Sequence, residues 1–138
     1  MSDFCILCKA PLKYLDSPKV MRCEICGKSF EGHAVCENGH YVCDACHASP
    51  AEGVVRSVVL NSSSKNPVDI ADEIMASSFV HMHGPEHHIM VGCALLTAYR
   101  NAGGDIDLYP ALKEMVSRGK KVPGGACGFW GACGAAVS

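Results

Sequence analysis

Eight of the nine cysteine and histidine side chains in the first 46 residues are arranged as four close pairs. Zinc prefers thiolate and imidazole donors, and two ligands separated by two or three residues can bind one ion from a single tight turn. Four such pairs supply the ligands of two closed tetrahedral sites, so the spacing predicts two structural zinc ions. The predicted ligands are Cys5 and Cys8, Cys23 and Cys26, Cys36 and His40, and Cys43 and Cys46.

The segment that carries these pairs cannot be held together by hydrophobic burial alone. It is short and is interrupted throughout by Lys, Glu, Asp and Gly, and a chain of about 50 residues rarely buries enough apolar surface to be stable. A structural zinc ion contributes on the order of 10 to 16 kcal/mol in finger peptides near neutral pH. We therefore expect this segment to unfold when its metal is removed.

Free reduced cysteines and disulfide bonds are the two alternatives to metal binding for so many cysteines. The regular Cys-x2-Cys spacing argues against the first. Residues 1–20 carry scattered charges and no apolar run of signal-peptide length, which argues against secretion and therefore against disulfides. No later run approaches the roughly 20 apolar residues of a membrane span. We expect a cytoplasmic protein whose thiols stay reduced.

The order of the four pairs leaves two ways of sharing two ions. Sequential use joins the first pair to the second and the third to the fourth, whereas crossed use joins the first to the third and the second to the fourth. The stretch from Cys36 to Cys46 resembles the middle of a RING finger, and this resemblance, which covers residues 23–46, implies crossed use. A RING finger has a further cysteine pair downstream, but the next cysteine here is Cys93. The first pair could replace it, giving a permuted cross-brace.

Three neighbouring features refine this interpretation. The turn from Cys23 to Cys26 lacks the proline often seen in ubiquitin ligases, which argues against ligase activity. His33 and His47 are spare histidines that we expect at the surface. His47 is also the alternative ligand in place of Cys46.

The elements that must position these residues divide the chain into three parts. We expect residues 1–50 to form a binuclear zinc-finger domain and residues 51–66 to form a linker that contains a short strand at the β-branched run 54–60. Residues 67–138 should form a helical Cys/His domain that lacks its C-terminal part. The expected fold is thus a small zinc-binding domain of the RING-like, treble-clef or zinc-ribbon type, followed by a mainly α-helical domain.

Three helices are predicted in the second domain. The first begins at Pro67 and runs to about residue 80, and the second runs from Pro85 to Asn101. The second helix has almost no polar face, so it should be the central buried helix, with Cys93 in the core. The third covers residues 108–118.

A second set of side chains with chemical content lies in and after the run 81–88. That run places four histidines and one glutamate within eight positions, and neutral imidazoles bind metals or polarise substrates. Two cysteines follow in a glycine-rich segment, where the backbone can approach a ligand closely. The predicted site comprises His83, His87, His88, Cys127 and Cys133.

This predicted site has several interpretations. The cysteines could ligate a metal or an iron–sulfur cluster, exchange redox equivalents or act as nucleophiles, and a thiol near a helix N-terminus is more reactive. Alternatively, one or two of the histidines are caps or surface residues, and Cys127 and Cys133 are buried in a closely packed turn. A phosphate-binding loop is excluded because no Gly-Lys-Ser/Thr ending is present.

Two motifs resemble those of an uncharacterised family from anaerobic prokaryotes, catalogued as a domain of unknown function. They are His83-Gly-Pro-Glu-His-His88 and the run from Gly125 to Ala136, which contains Gly-Ala-Cys-Gly-Phe-Trp-Gly-Ala-Cys-Gly. In that family the domain sometimes lies beside methyltransferase or radical-enzyme modules, and further cysteines follow where this chain ends. The resemblance implies a zinc finger followed by a helical domain with a Cys/His centre, but it implies no particular reaction.

Two functions are compatible with these patterns. The first is a zinc-binding protein whose helical domain carries an additional metal or iron–sulfur centre, or another redox centre, used in anaerobic metabolism. The second is a zinc-finger module that binds a protein partner without catalysis. Nucleic acid is disfavoured because residues 1–50 carry five Lys/Arg against six Asp/Glu and the whole chain has a net charge of −2. No membrane partner is expected, and whether the protein is an enzyme is left open.

Overall fold

The computed structural model of the protein describes residues 4–138. Its N-terminal part contains a two-stranded sheet, and most of the remaining described chain is helical. This confirms the expected order of a small cysteine-rich region followed by helices, while the RING-like, treble-clef or zinc-ribbon type stays a prediction. The elements are β1 (Leu12–Arg22), β2 (Ser29–Cys36), α1 (Asp44–Asn61), α2 (Pro67–Met75), α3 (His87–Asn101), α4 (Leu108–Gly119), α5 (Ala126–Trp130) and α6 (Gly134–Val137).

The strands β1 and β2 form an antiparallel hairpin whose connection is a Cys-x2-Cys turn. The backbone N–H of Cys23 donates to the carbonyl of Lys28 at 2.8 Å, and the N–H of Gly27 donates to the carbonyl of Cys23 at 2.9 Å. Gly27 has a φ of 70°, in the left-handed region that favours glycine. The ladder register shifts between Tyr14 and Lys19, across a stretch that contains a proline, which cannot donate to the ladder.

The hairpin has little apolar burial of its own. Of its described residues, β1 buries none and β2 buries only Cys36. Isolated two-stranded hairpins are at best marginally stable in water. The stabilisation of this region must therefore come from its cysteine side chains and from the elements packed beside it.

The prediction of a linker with a short strand at residues 51–66 was wrong, because α1 is helical from Asp44 to Asn61. Ala51, Val55 and Val59 recur every four residues and are all buried, so they line one face of a helix. Strand propensity of β-branched residues is a weak preference that tertiary packing overrides. A loop does follow α1, from residue 62 to residue 66.

The other predicted helices are present with shifted ends. α2 ends at Met75, earlier than the predicted end near residue 80, and α3 begins at His87, two residues after the predicted start. α4 agrees with its prediction to within one residue. Asp107 is at the N-cap position of α4, but its side chain makes no capping hydrogen bond.

The hydrophobic core lies among the first four helices, with α3 at its centre. α3 packs against α1, α2, α4 and α6, as expected of a helix with almost no polar face. Cys93 is buried in this core, as predicted. Its buried members are Ala51, Val55, Val59, Ile70, Ile74, Val80, Ile89, Met90, Cys93, Ala94, Ala98, Leu108 and Leu112.

Among residues 4–138, none of the helices combines the length and the apolar character that a membrane span requires.

Candidate metal centres

The first group of converging ligands joins the first and third predicted pairs. Cys5, Cys8, Cys36 and His40 each offer one donor atom, and the four atoms lie within 4.8 Å of one another. The Sγ atoms of Cys8 and Cys36 are 3.4 Å apart, and His40 Nδ1 lies 3.3 Å from Cys8 Sγ. The turn between Cys36 and His40 is closed by a backbone hydrogen bond of 2.9 Å between them, and it passes through Gly39 at a φ of 86°.

The second group joins the second and fourth pairs. Cys23, Cys26, Cys43 and Cys46 also offer four donor atoms within 4.8 Å of one another. The Sγ atoms of Cys26 and Cys43 are 3.9 Å apart, and the backbone N–H of Cys43 donates to Cys23 Sγ at 3.4 Å. Cys43 is the N-cap residue of α1 and Cys46 lies in its first turn. One half of this group is therefore carried by the hairpin turn and the other half by a helix.

The eight predicted ligands thus converge in crossed order, and the sequential alternative does not describe this structure. Bond lengths of about 2.3 Å to sulfur and 2.0–2.1 Å to nitrogen place the donors of a tetrahedral zinc site about 3.3–3.8 Å apart. The separations of 3.3, 3.4, 3.9 and 4.0 Å between donor atoms lie close to this spacing. Both groups are therefore compatible with zinc, and each supplies a complete set of four ligands.

The environment of the thiols favours ionisation of one cysteine in each group. Backbone hydrogen bonding near Ala10, together with the contact to Cys36 Sγ, lowers the pKa of Cys8 to about 6. Burial raises the pKa of Cys23, but backbone hydrogen bonds from Cys26 and Cys43 outweigh it and lower the pKa to about 6. Because the thiolate is the form that binds metal, these two thiols are prepared for coordination.

The structure does not gather the five residues of the predicted Cys/His centre. Within residues 4–138, none of the groups of three or more close metal ligands contains His83, His87, His88, Cys127 or Cys133. Both cysteines are exposed. The ring of His87 donates from Nε2 to the carbonyl of residue 81 at 2.8 Å. The proposal that these residues form a reactive centre stays a prediction.

His88 has a packing environment that the sequence did not reveal. It is buried, and its Nδ1 donates to the carbonyl of Val122 at 3.1 Å. Its ring packs directly against the α-carbon of Gly134, so closely that a side chain at that position would collide with the ring. Hence the two sequence motifs meet through a histidine packed on a glycine.

A third convergence of polar side chains lies where the cysteine-rich region, residues 4–46 (called the finger below), meets the helices that follow it. His47 in the first turn of α1 donates from Nδ1 to Glu86 Oε2 at 3.0 Å, and His81 donates from Nδ1 to Glu86 Oε1 at 3.0 Å. We call these three residues the His–Glu–His group. The glutamate is fully buried. Burial raises its pKa, but hydrogen bonds from His47 and the backbone outweigh this effect and lower the pKa to about 2, so the carboxylate is ionised.

Sequence reasoning recognised only part of the His–Glu–His group. His81 and Glu86 belong to the histidine-rich run, but neither was among the predicted site residues, and His47 was expected to be a surface residue or a substitute for Cys46. The position of His47 directly after the predicted ligand Cys46 was the available signal. Its partner lies 39 residues away along the chain, a distance over which local patterns carry no information.

The glycine-rich tail also contacts the finger. The backbone N–H of Gly124 donates to Asp44 Oδ2 at 2.8 Å. The ring of Phe129 stacks on His33 of β2, with centroids 3.8 Å apart and planes 16° apart. Tyr14 of β1 lies beside Gly128. The tail therefore bridges the hairpin and α3.

The comparisons with known proteins identify a family for the greater part of the chain. A model of the family described as "Family of unknown function (DUF5714)" matches residues 55–138. No curated protein and no solved structure matches the chain.

Proposed function

The chain belongs to the DUF5714 family, whose function is unknown, and we propose that it is a zinc protein in which two structural ions hold a protein-binding finger against a helical domain. The observation that carries this proposal is the crossed convergence of eight thiol and imidazole ligands into two sets of four. A site with four protein ligands has no open position for a substrate, which is the arrangement of structural zinc. Zinc–thiolate sites require reduced cysteines, which supports a cytoplasmic location.

Crossed coordination gives the ions a defined mechanical role. The first ion joins the turn at Cys5 to the turn at Cys36, and the second joins the turn at Cys23 to the turn at Cys43. The first half of the cysteine-rich region is thus joined to its second half at two places. The second ion also joins the hairpin turn at Cys23 to the first turn of α1 at Cys46. Because α1 continues into the helical core through Val59, this ion fixes the orientation of the finger relative to the helices.

The surface of the finger supports a protein partner. Each Cys-x2-Cys turn exposes an apolar side chain, Leu7 in the first and Ile25 in the second, at 46% and 54% exposure. Phe4, Val20 and Phe30 are also exposed in this small region. Isolated apolar side chains are common on protein surfaces, but a concentration of them indicates an interaction site. The absence of excess positive charge in residues 1–50 disfavours nucleic acid as that partner.

The alternative role as a redox protein of anaerobic metabolism has less support. It requires a centre built from His83, His87, His88, Cys127 and Cys133, and these residues do not converge. It stays a prediction that follows from the family resemblance.

Zinc stoichiometry tests the first part of the proposal. Native mass spectrometry of protein purified under reducing conditions should show at least two zinc ions per chain. Cys43→Ser should lose the second ion and Cys36→Ser the first, because each removes a ligand from one group only. Cys93→Ser removes a thiol that belongs to neither group and should leave both ions in place. Fewer than two ions in the wild-type protein would overturn the proposal.

A matched pair of surface variants tests the partner. Leu7→Ser combined with Ile25→Ser removes the apolar side chains of the two turns, while Val68→Ser removes a comparably exposed one from α2. Proteins that co-purify with the wild type should be lost from the double variant and retained by Val68→Ser, with zinc content unchanged in all three. Equal retention by both variants would show that the finger turns do not bind them.

A further inference from the structure

We infer that the His–Glu–His group is a third metal site, which binds a divalent transition-metal ion between the finger and the helical domain. Its three residues, His47, His81 and Glu86, offer donor atoms that all lie within 4.8 Å of one another. The two nitrogen-to-oxygen distances of 3.0 Å suit either a shared proton or a metal ion bound by both atoms. This inference does not depend on the proposed role of the finger in binding a protein.

The donor set differs in kind from the other two groups. Two imidazoles and one carboxylate are a common ligand set of zinc sites that keep an open coordination position. Nitrogen and oxygen donors without thiolate also suit other first-row divalent ions. With three protein ligands, the fourth position is left for water or for an oxygen donor of a ligand.

The buried carboxylate of Glu86 is the strongest single observation in favour of a cation. Its exposure is 0%, and an ionised group in the interior is costly unless its charge is compensated. A divalent cation held by the same three residues would compensate this charge within the interior.

The backbone of residues 81–86 lies close to the three side chains of the His–Glu–His group. The N–H of His81 donates to Glu86 Oε1 at 3.1 Å, which folds the run 81–86 back on itself. Gly84 lies against Glu86 and against the ring of His47, where a β-carbon would collide with the carboxylate. The loop therefore holds the carboxylate between the two histidines.

The group is reachable from solvent on its histidine side. The side chains of His47 and His81 are 17% and 32% exposed, whereas Glu86 is fully enclosed. A metal ion bound here would be coordinated by Glu86 on its buried side. Its open coordination position would face solvent. That arrangement permits exchange of the ion and access of a small ligand, in contrast to the two closed sites.

Cobalt titration tests this inference on the full-length protein with both cysteine sites filled by zinc. Zinc binds a given site more tightly than cobalt, so added Co²⁺ should occupy the third site. The expected result is one additional equivalent of cobalt whose absorption spectrum lacks thiolate-to-cobalt charge transfer. A charge-transfer band in proportion to the added cobalt would place the ion at cysteines and overturn the inference.

Variants assign the additional ion to its ligands. His81→Ala removes a partly exposed ligand, so it should fold normally and weaken cobalt binding by about tenfold or more. Glu86→Gln removes the charge of the buried ligand and should have at least the same effect. His33→Ala removes a histidine outside all three groups and should bind cobalt like the wild type. Absence of the extra equivalent in the wild type, or unchanged binding by His81→Ala, would overturn the inference, even if Glu86→Gln failed to fold.

Discussion

At the scale of single residues, the same side-chain type serves different purposes in different surroundings. His40 lies among three thiols, where it completes a set of four side chains that could hold a metal ion. His88 is enclosed between the carbonyl of Val122 and the backbone of Gly134, where it acts as a packing residue. His47 and His81 share one carboxylate. The role of each histidine therefore depends on its neighbours in space.

Gly84→Ala should destabilise the protein because the added β-carbon would collide with the Glu86 carboxylate and lie 2.5 Å from His47 Cε1. Both side chains are held by hydrogen bonds, so they cannot move aside without losing them. We expect a loss of about 1–3 kcal/mol in the free energy of unfolding, measured by denaturant titration with zinc present.

Gly53→Ala is the matched control for this change. Gly53 lies inside α1, and a β-carbon there meets nothing within 4 Å. Alanine should therefore stabilise the helix by about 0.5–1 kcal/mol. A Gly84→Ala protein as stable as the wild type would contradict the close approach seen at the His–Glu–His group.

At the scale of elements, the finger and the helical core derive their stability from different sources. The hairpin of β1 and β2 has almost no buried apolar side chains, whereas the helices α1 to α4 share a continuous core. α1 belongs to both parts, because its first turn carries Cys46 and its last turns carry Val55 and Val59. Loss of metal should thus affect one part more than the other.

Chelation of zinc under reducing conditions should release the hairpin and leave the helical core folded. Hydrogen exchange followed by mass spectrometry should show that β1 and β2 lose their amide protection while α3 keeps most of it. The physical reason is that a structural zinc ion supplies on the order of 10 kcal/mol to a finger of this size. Unchanged protection of the hairpin after complete removal of zinc would contradict this division.

At the scale of the whole molecule, the glycine-rich tail ties the two parts together. It is held by Asp44 and His33 on the finger side and by His88 on the helical side. Its glycines allow close approach, since Gly134 and Gly128 contact the rings of His88 and Tyr14. The glycine-rich tail, whose cysteines Cys127 and Cys133 are predicted to be reactive, thus also connects the two parts of the molecule. We call this connection the clamp.

Phe129→Ala should loosen this clamp. Its ring stacks on His33 at 3.8 Å, and such aromatic pairs contribute about 0.5–1.5 kcal/mol beyond their buried area. The amides of α5 should then exchange faster with solvent. Trp130→Ala removes a larger ring that is 63% exposed and should change the exchange of α5 less. The opposite ranking of the two variants would show that the stack does not hold the tail.

The sequence alone was sufficient for features that depend on residue type and short spacing. Donor chemistry and the close spacing of the ligand pairs identified the eight residues that converge, and a helical run with almost no polar face identified α3 and its buried Cys93. α4 was located to within one residue of both its ends. Such features are determined within one or two turns of chain, where geometry leaves few alternatives.

Only the tertiary structure decided which distant segments meet. Ligand spacing does not choose between crossed and sequential pairing, although the RING resemblance pointed to the crossed order that the structure has. Residues 54–60 are helical because the burial of their apolar side chains against the core outweighs a strand preference of at most about 1 kcal/mol per residue. His47 contacts Glu86 because the packing of α1 places its first turn beside the loop that precedes α3. In each case the deciding energy comes from contacts between residues far apart in the chain, which no local pattern encodes.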